Sequence, residues 1–304
     1  HFPIAELQRH LNYLETSKEI GGFLKYGFVE QTKDDGLIFR IEDKAKPIDY
    51  YPHKDGEDTK GCITMLEAPL KDKLGHVPDN LYQIVVDPYY KDEAEHSTSL
   101  GAVYVYKKKN TLFPTEDDML VAWYIARPKT TTMFHRNLFL LARYYNARIQ
   151  SEIGGGGKGI LDHAKVHNLL QYCDFEPTMF TSNKEIIRQA NRSYFINMPG
   201  ELKKQCLMDL ATWLVTERAL KVGEDGKETE YILNLHKIYD KGLIEELIKF
   251  SDTGNFDRIS ALLVLMVVRE EITNTQLKEL SSSRRTFFSR PLFTDALINR
   301  DEQL

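Results

Sequence analysis

The fold is decided by the sequence YQIVVDP at residues 82–88, which reads as one buried strand. Its centre is a β-branched run without polar alternation, a pattern typical of strands that are covered on both faces. Pro88 cannot donate a hydrogen bond to a neighbouring strand, so the strand is expected to end at Asp87. The sequence therefore predicts a central strand whose last residue is a carboxylate.

Working outward, the hydrophobic pattern predicts two more strands, a helix and a fourth strand downstream of this one. They fall at residues 100–106, 118–125, 134–145 and 147–152, in that order. The fourth strand also ends in a carboxylate, Glu152, and glycines 154–157 follow at once. Three strands in a meander, a helix and a further strand predict an α/β fold with a mixed sheet rather than an all-parallel one.

The remaining segments flank this unit. Helices are expected at 160–170, 202–214, 243–250 and 257–269, an edge strand at 174–180 and a hairpin at 219–235. Upstream, the patterns predict a helix at 4–14 and short strands at 23–29, 36–41 and 62–67. We therefore predict three regions: a small β-rich N-terminal appendage with its linker (1–78), the α/β domain (79–272) and a polar C-terminal tail (273–304).

The composition excludes several classes of protein. Of 304 residues, 42% are hydrophobic and 28% are charged, the ordinary mix of a globular chain. No apolar run reaches the roughly 18 residues that span a bilayer, so we expect no membrane segment. Three widely spaced cysteines cannot form a disulfide framework or a four-cysteine zinc site, which favours a reducing, intracellular setting. The net charge of −5 argues against a protein that coats nucleic acid by bulk electrostatics.

Three carboxylates are candidates for chemistry: Asp87, Glu152 and Asp257, the last at the start of an apolar helix. Two of them also have a purely structural explanation, because an Asp before Pro is typical of turns and an Asp at a helix start is typical of caps. If the fold gathers the three acids, they repel unless a cation shares the site. Oxygen ligands suit Mg²⁺ or Mn²⁺, and two such ions about 3.5–4 Å apart can hydrolyse a phosphodiester.

Three segments carry a resemblance to a known family. They are IVVDP at 84–88, ARIQSE at 147–152 and GNFDRISA at 254–261. Together with MLEAP at 65–69 and VPDNL at 77–81, they resemble the nuclease half of tailed-phage large terminase subunits. Those nucleases belong to the RNase H-like superfamily. The resemblance, which extends over about residues 62–270, therefore implies an RNase H-like mixed sheet flanked by helices.

The resemblance also implies a function: a metal-dependent endonuclease that cuts double-stranded DNA during phage genome packaging. Asp87, Glu152 and Asp257 match the family's three acids and would hold two Mg²⁺ or Mn²⁺ ions. Many relatives carry another Asp soon after the first acid; Asp92 is the candidate for it here, and Glu93 and Glu95 beside it are the alternatives. The implied partners are an upstream ATPase domain of the same polypeptide, the portal protein and the small terminase subunit, in the host cell cytoplasm.

Basic residues near the acids in the sequence are candidates for contacts with DNA phosphates. Lys158 follows the second acid closely, and Lys107, Lys108 and Lys109 close the second strand of the meander, where a solvated hairpin end is the alternative. The run from Gly154 to Lys158 lacks the spacing, and the Ser or Thr, of a phosphate-binding loop. We therefore expect its glycines to let the backbone pass close to metal or DNA.

Two other functions stay open from the sequence. One is a different RNase H-like nuclease, such as a Holliday-junction resolvase or a transposase. A preference for branched over linear DNA would distinguish such an enzyme from a terminase nuclease. The other is a catalytically degenerate docking module, which metal-dependent nicking of plasmid DNA would exclude.

Overall fold

The computed structural model describes residues 2–17, 20–54, 56–90, 99–110, 116–177, 193–222, 228–251 and 254–288. Its main sheet contains β1 (Lys25–Gln31), β2 (Leu37–Ile41), β3 (Ile63–Met65), β4 (Tyr82–Asp87), β5 (Gly101–Lys107), β6 (Met119–Ala126) and β7 (Arg148–Ser151). The helices are α1 (Ile4–Thr16), α2 (Ile20–Phe23), α3 (Thr131–Tyr144), α4 (Gly155–Val166), α5 (Gly200–Leu214), α6 (Lys241–Ile248) and α7 (Asp257–Phe288). Strands β8 (Glu217–Val222) and β9 (Glu228–Leu233) form a separate antiparallel pair.

The main sheet has seven strands in the order β2-β1-β3-β6-β5-β4-β7. Strands β4, β5 and β6 form the expected antiparallel meander, and β7 returns parallel to β4 after helix α3. This arrangement confirms the mixed α/β sheet predicted from the sequence. The parallel register pairs Val86 with Ser151, so the next residues, Asp87 and Glu152, follow at the same edge of the sheet.

Helices cover both faces of the sheet. On one face, Ile84, Val103 and Tyr124 lie in a core that α3 and α4 complete. On the other face, Val85 and Tyr104 lie in a core that α1, α5, α6 and α7 complete. Every residue of β5 and β6 is buried. The uninterrupted apolar runs in the sequence are therefore the result of burial on two faces.

The N-terminal strands continue the main sheet. The three short strands expected upstream are confirmed as β1, β2 and β3, and β3 pairs antiparallel with β6. Helix α1 buries Leu7 and Leu14 in the same core as α6 and α7. The boundary at residue 78 stays a prediction, but the strands before it extend the sheet from four strands to seven.

Helix α7 is longer than the sequence pattern predicts. The pattern ends the helix at Arg269 and begins a polar tail at Thr273, but α7 continues to Phe288, so the tail prediction is wrong up to that residue. No Gly or Pro interrupts residues 257–288, and Pro291 lies just beyond, where helix termination is typical. Residues 289–304 lie outside the described part of the chain.

The remaining sequence predictions have mixed outcomes. In place of a strand at 174–180, Phe175 makes an isolated bridge to Tyr194, and residues 178–192 lie outside the described ranges. The hairpin expected at 219–235 is confirmed as β8 and β9. Within the described ranges, none of the helices combines the length and the apolar character needed to cross a membrane.

Candidate active site

The three predicted acids lie at one end of the sheet. Asp87 is the last residue of β4, Glu152 follows β7 beside it, and Asp257 is the first residue of α7. Helix α7 is tied to this end directly, because the amide of Leu100 donates to Asp257 Oδ2 at 2.8 Å just before β5 begins. In the sheet register, Ala102 of β5 lies opposite Asp87. The fold therefore gathers the acids that the sequence singles out.

Asp87 is affected by both of the other acids. Burial raises the pKa of Asp87 well above its ordinary range, and the charges of Asp257 and Glu152 raise it further. A positive charge on Lys203 and a hydrogen bond with Ser260 lower the pKa of Asp87 and so oppose this effect. Asp87 is therefore repelled by both of the other carboxylates, and a bound cation would relieve that repulsion.

Asp257 is held in a fixed orientation by donors from its own chain. Its Oδ1 accepts from the Ser99 hydroxyl at 3.1 Å. Its Oδ2 accepts from the Leu100 amide at 2.8 Å and from the Asn255 side chain at 3.1 Å. Burial nevertheless raises the pKa of Asp257, although these hydrogen bonds favour the ionised form. The carboxylate is thus positioned before any ligand arrives.

Glu152 is engaged by a residue that the sequence analysis missed. The ammonium of Lys203, on α5, lies 2.8 Å from Glu152 Oε2. The two residues are 51 positions apart, and no spacing rule connects a lysine on a later helix with a strand-end acid. Only the three-dimensional fold, which brings the start of α5 to Glu152, reveals the pair.

The carboxylates are neighbours, but their oxygens do not converge on one point. Among the described residues, no group of three or more His, Cys, Asp or Glu side chains is arranged to hold a metal ion. Glu152 is paired with Lys203, and both oxygens of Asp257 accept hydrogen bonds. Lys203 already occupies one of the two oxygens that Glu152 could offer to a metal. Asp92, the candidate for an additional acid, lies outside the described residues.

The glycines after Glu152 serve packing within the chain. They form the first turn of α4 rather than a loop. A Cβ atom on Gly156 would lie 2.6 Å from the carbonyl oxygen of Pro88, and one on Gly157 would lie 2.1 Å from the carbonyl oxygen of Glu152. From the sequence, these glycines were expected to let the backbone pass close to metal or DNA. In the structure, they let α4 pack closely against the backbone of Pro88 and Glu152.

Replacing Gly157 by Ala is expected to destabilise the fold by about 1–3 kcal/mol, because the added methyl group meets backbone that cannot move aside. Urea unfolding of the variant and the wild type measures this difference. Gly200→Ala is the matched control, since Gly200 also lies in the first turn of a helix but has open space around it. Its effect should stay within about 0.5 kcal/mol. Equal effects of the two substitutions would contradict the packing role of Gly157.

The lysines at the end of β5 lie away from the acids, which corrects the expectation of a phosphate contact near the site. Lys107 pairs with Tyr82, whereas Asp87 pairs with Ala102, so five residues, or about 17 Å of strand, separate the two ends. Lys107 is also fully buried, and its ammonium donates to Glu67 at 2.7 Å. The proposed DNA contact is wrong for Lys107, because strand β5 runs antiparallel to β4.

The other predicted DNA contacts, Lys108, Lys109 and Lys158, lie at different ends of the sheet. Lys109 lies 3.8 Å from a carboxylate oxygen of Asp118, and Lys108 borders a polar cleft of about 330 Å³ together with Arg148, both at the end of the sheet opposite the acids. Lys158 is exposed on α4, the helix that begins directly after Glu152. Of the four predicted DNA contacts, Lys158 alone lies on an element that starts at the acid end.

A buried ionic network lies behind Asp257. The Nε of Arg258 is 3.4 Å from Asp240 Oδ2, and the Arg258 amide donates to the Glu246 carboxylate at 3.2 Å. The Tyr104 hydroxyl also donates to Asp240, at 2.6 Å. Burial raises the pKa of Asp240 and of Glu246, and the positive charge of Arg258 opposes that rise. The network anchors the first turn of α7, and an Arg within an otherwise apolar helix was the signal for it in the sequence.

No protein-family model and no curated protein matches the chain. Comparison with solved structures finds large terminase nucleases from the thermophilic phage G20c. The form with bound magnesium shares 12% sequence identity and has a TM-score of 0.41, covering 72% of this chain and 92% of that chain. The form with bound zinc shares 13% identity and has a TM-score of 0.39, covering 71% of this chain and 91% of that chain. These nucleases are of the same kind as those that the sequence motifs resemble.

Proposed function

We propose that this chain is an endonuclease that cuts double-stranded DNA with divalent metal ions, as the nuclease part of a phage genome-packaging terminase. The observation that carries the proposal is the grouping of Asp87, Glu152 and Asp257, whose charges act on one another at one end of the sheet. Such a group is costly to the fold, because burial and the charges of Asp257 and Glu152 make Asp87 harder to ionise. A functional reason for it is therefore required.

The donor set fits Mg²⁺ or Mn²⁺. All three side chains offer carboxylate oxygens, which these cations prefer as ligands. The raised pKa of Asp87 reflects burial and then the charges of Asp257 and Glu152, and a bound cation would offset both. Asp87, Glu152 and Asp257 would hold two ions, which when bound supply an activated water and stabilise the leaving oxygen of a phosphodiester. The hydrogen bonds from Ser99 and Leu100 keep Asp257 oriented for this role.

The proposed substrate, duplex DNA, would be held through its phosphates. Lys158 offers an exposed positive charge on the helix that follows Glu152. With a net charge of −5, the isolated chain should bind DNA only in the weak non-specific range, about 10⁻⁴–10⁻⁶ M at physiological salt. Cutting should show little sequence preference, since phosphate contacts carry no base information. Efficient cutting would then depend on partners that present the DNA: an ATPase domain, a portal protein and a small terminase subunit in the host cytoplasm.

The experiment that tests this function is nicking of supercoiled plasmid. We expect relaxation and degradation with Mg²⁺ or Mn²⁺ and none in EDTA, because removing the metal removes the activated water. Ca²⁺ should bind but support little cutting, since its longer and more flexible coordination positions the nucleophile poorly. Gel analysis of a time course with each ion measures these rates.

Undiminished cutting in EDTA would contradict the metal-dependent mechanism. Binding of plasmid DNA without cutting in any of these ions would favour a docking module instead. A strong preference for a four-way junction over linear duplex would favour a resolvase.

A further inference from the structure

A positive charge of the chain itself lies within the group of acids. The Lys203 ammonium is 2.8 Å from Glu152 Oε2, and its charge lowers the pKa of Asp87 as well. Among the ion pairs of the described residues, this is the one that joins a cation to any of the three acids. Lys203 thus lies against the group of acids that would hold a metal ion.

The ion pair between Lys203 and Glu152 can open at low cost. The side chain of Lys203 is 43% exposed and that of Glu152 is 35% exposed, so water screens the pair and it contributes little to stability. The other acid with an anchored side chain, Asp257, is fixed by three hydrogen bonds from neutral donors. Glu152 is therefore the acid that can move at low cost, and its partner is a charge that a divalent cation can replace.

We propose that Lys203 is an internal counter-ion that competes with the metal ions for Glu152. In the metal-free protein it neutralises part of the acid group. When the site is loaded, Glu152 turns to the metal, and the released ammonium is available to a phosphate oxygen of the DNA. This inference rests on the proposed function for its DNA step, but the competition itself concerns only the chain and the metal.

The competition explains why the acids are close together yet do not form a metal site in the described part of the chain. Three carboxylates with one ammonium retain a net charge of −2, which attracts a divalent cation. The same ammonium opposes that cation by like-charge repulsion. Removing the charge of Lys203 should therefore tighten metal binding, whereas removing a merely structural ion pair would leave metal affinity unchanged.

The test is Mn²⁺ binding to the full chain without DNA, measured by electron paramagnetic resonance of free Mn²⁺. Lys203→Met keeps the length of the side chain and removes its charge. We expect it to bind Mn²⁺ about tenfold more tightly than the wild type, the size of effect that partners of metal ligands commonly have. Lys203→Gln should act in the same direction, and Lys203→Arg should keep the affinity of the wild type. Lys204→Met is the matched control, because Lys204 is the next residue on α5 and pairs with Glu201.

Plasmid nicking at saturating Mn²⁺ provides the second readout. Lys203→Met should cut about 10²-fold more slowly despite tighter metal binding, because the phosphate loses a charged donor. Unchanged or weaker Mn²⁺ binding by Lys203→Met would overturn the proposal, and so would a failure of both variant and wild type to bind Mn²⁺. Tighter binding by the variant with no cutting by the wild type would support the competition and reject the nuclease function.

Discussion

Replacing Asp87 by Asn is expected to abolish nicking and, at the same time, to raise the melting temperature at pH 7. The loss of activity should exceed about 10²-fold, since replacing even a partner of a metal ligand costs 10- to 100-fold. The gain in stability follows from the raised pKa of Asp87, because an acid that is harder to ionise in the fold than in the unfolded chain destabilises the fold when it is ionised.

The stability that Asp87→Asn gains over the wild type should increase as pH rises. Between the ordinary pKa of an Asp and the raised pKa in the fold, the folded protein binds more protons than the unfolded one, so stability falls as pH rises through that window. The wild type should therefore match Asp87→Asn in stability below about pH 4 and fall behind it as pH rises. Thermal melts at several pH values measure the difference. The control is Asp162→Asn at an exposed pair on α4, which should alter neither activity nor melting temperature. A less stable Asp87→Asn variant would contradict the repulsion within the acid group.

Replacing Arg258 by Met should destabilise the fold by about 3–5 kcal/mol, because Asp240 and Glu246 are then left buried without a compensating charge. The substitution keeps most of the apolar volume, so the loss of charge dominates. Urea unfolding at pH 7 measures it. Removing the exposed arginine in the Arg40–Glu30 pair, by Arg40→Met, is the control and should cost at most about 1 kcal/mol.

Low pH should partly rescue the Arg258→Met variant. Burial raises the pKa of Asp240 and of Glu246, so a falling pH protonates these acids in the fold first and removes the uncompensated charges. The difference from the wild type should therefore shrink between pH 7 and pH 5. A difference that stays constant with pH would show that lost packing, rather than unpaired charge, is responsible.

The sequence was sufficient where a local pattern determines the structure. The β-branched run before Pro88 marked the end of β4, and the glycines after Glu152 marked the end of β7, so the positions of Asp87 and Glu152 could be predicted. The order of elements predicted a mixed sheet, because a helix allows a parallel return, and the structure shows that the parallel pair is β4 with β7. The start of an apolar helix marked Asp257 as a third candidate, and the resemblance to terminase nucleases then matched it to the family's third acid.

The sequence was insufficient where strand direction or long-range packing decides. Lys107 is the last residue of β5, the strand that follows β4 in the sequence. Because β5 runs antiparallel to β4, Lys107 lies at the end of the sheet opposite the acids. The contacts of Lys203 with Glu152 and of Arg258 with Asp240 join separate elements. An Arg within an apolar helix signals a buried partner, but no local pattern identifies the acid that either cation pairs with. The glycines of α4 were read as a loop because Gly is unfavourable within helices. The close contact of Gly157 with the backbone of Glu152 overrides that preference.

The most direct test of the account is a crystal structure of the chain grown with Mn²⁺, with manganese located by anomalous diffraction. The account predicts manganese between the end of β4, the end of β7 and the start of α7, with oxygens of Asp87, Glu152 and Asp257 at about 2.0–2.2 Å and with Glu152 turned away from Lys203. Manganese bound elsewhere, or Glu152 still paired with Lys203 at a saturated site, would contradict it.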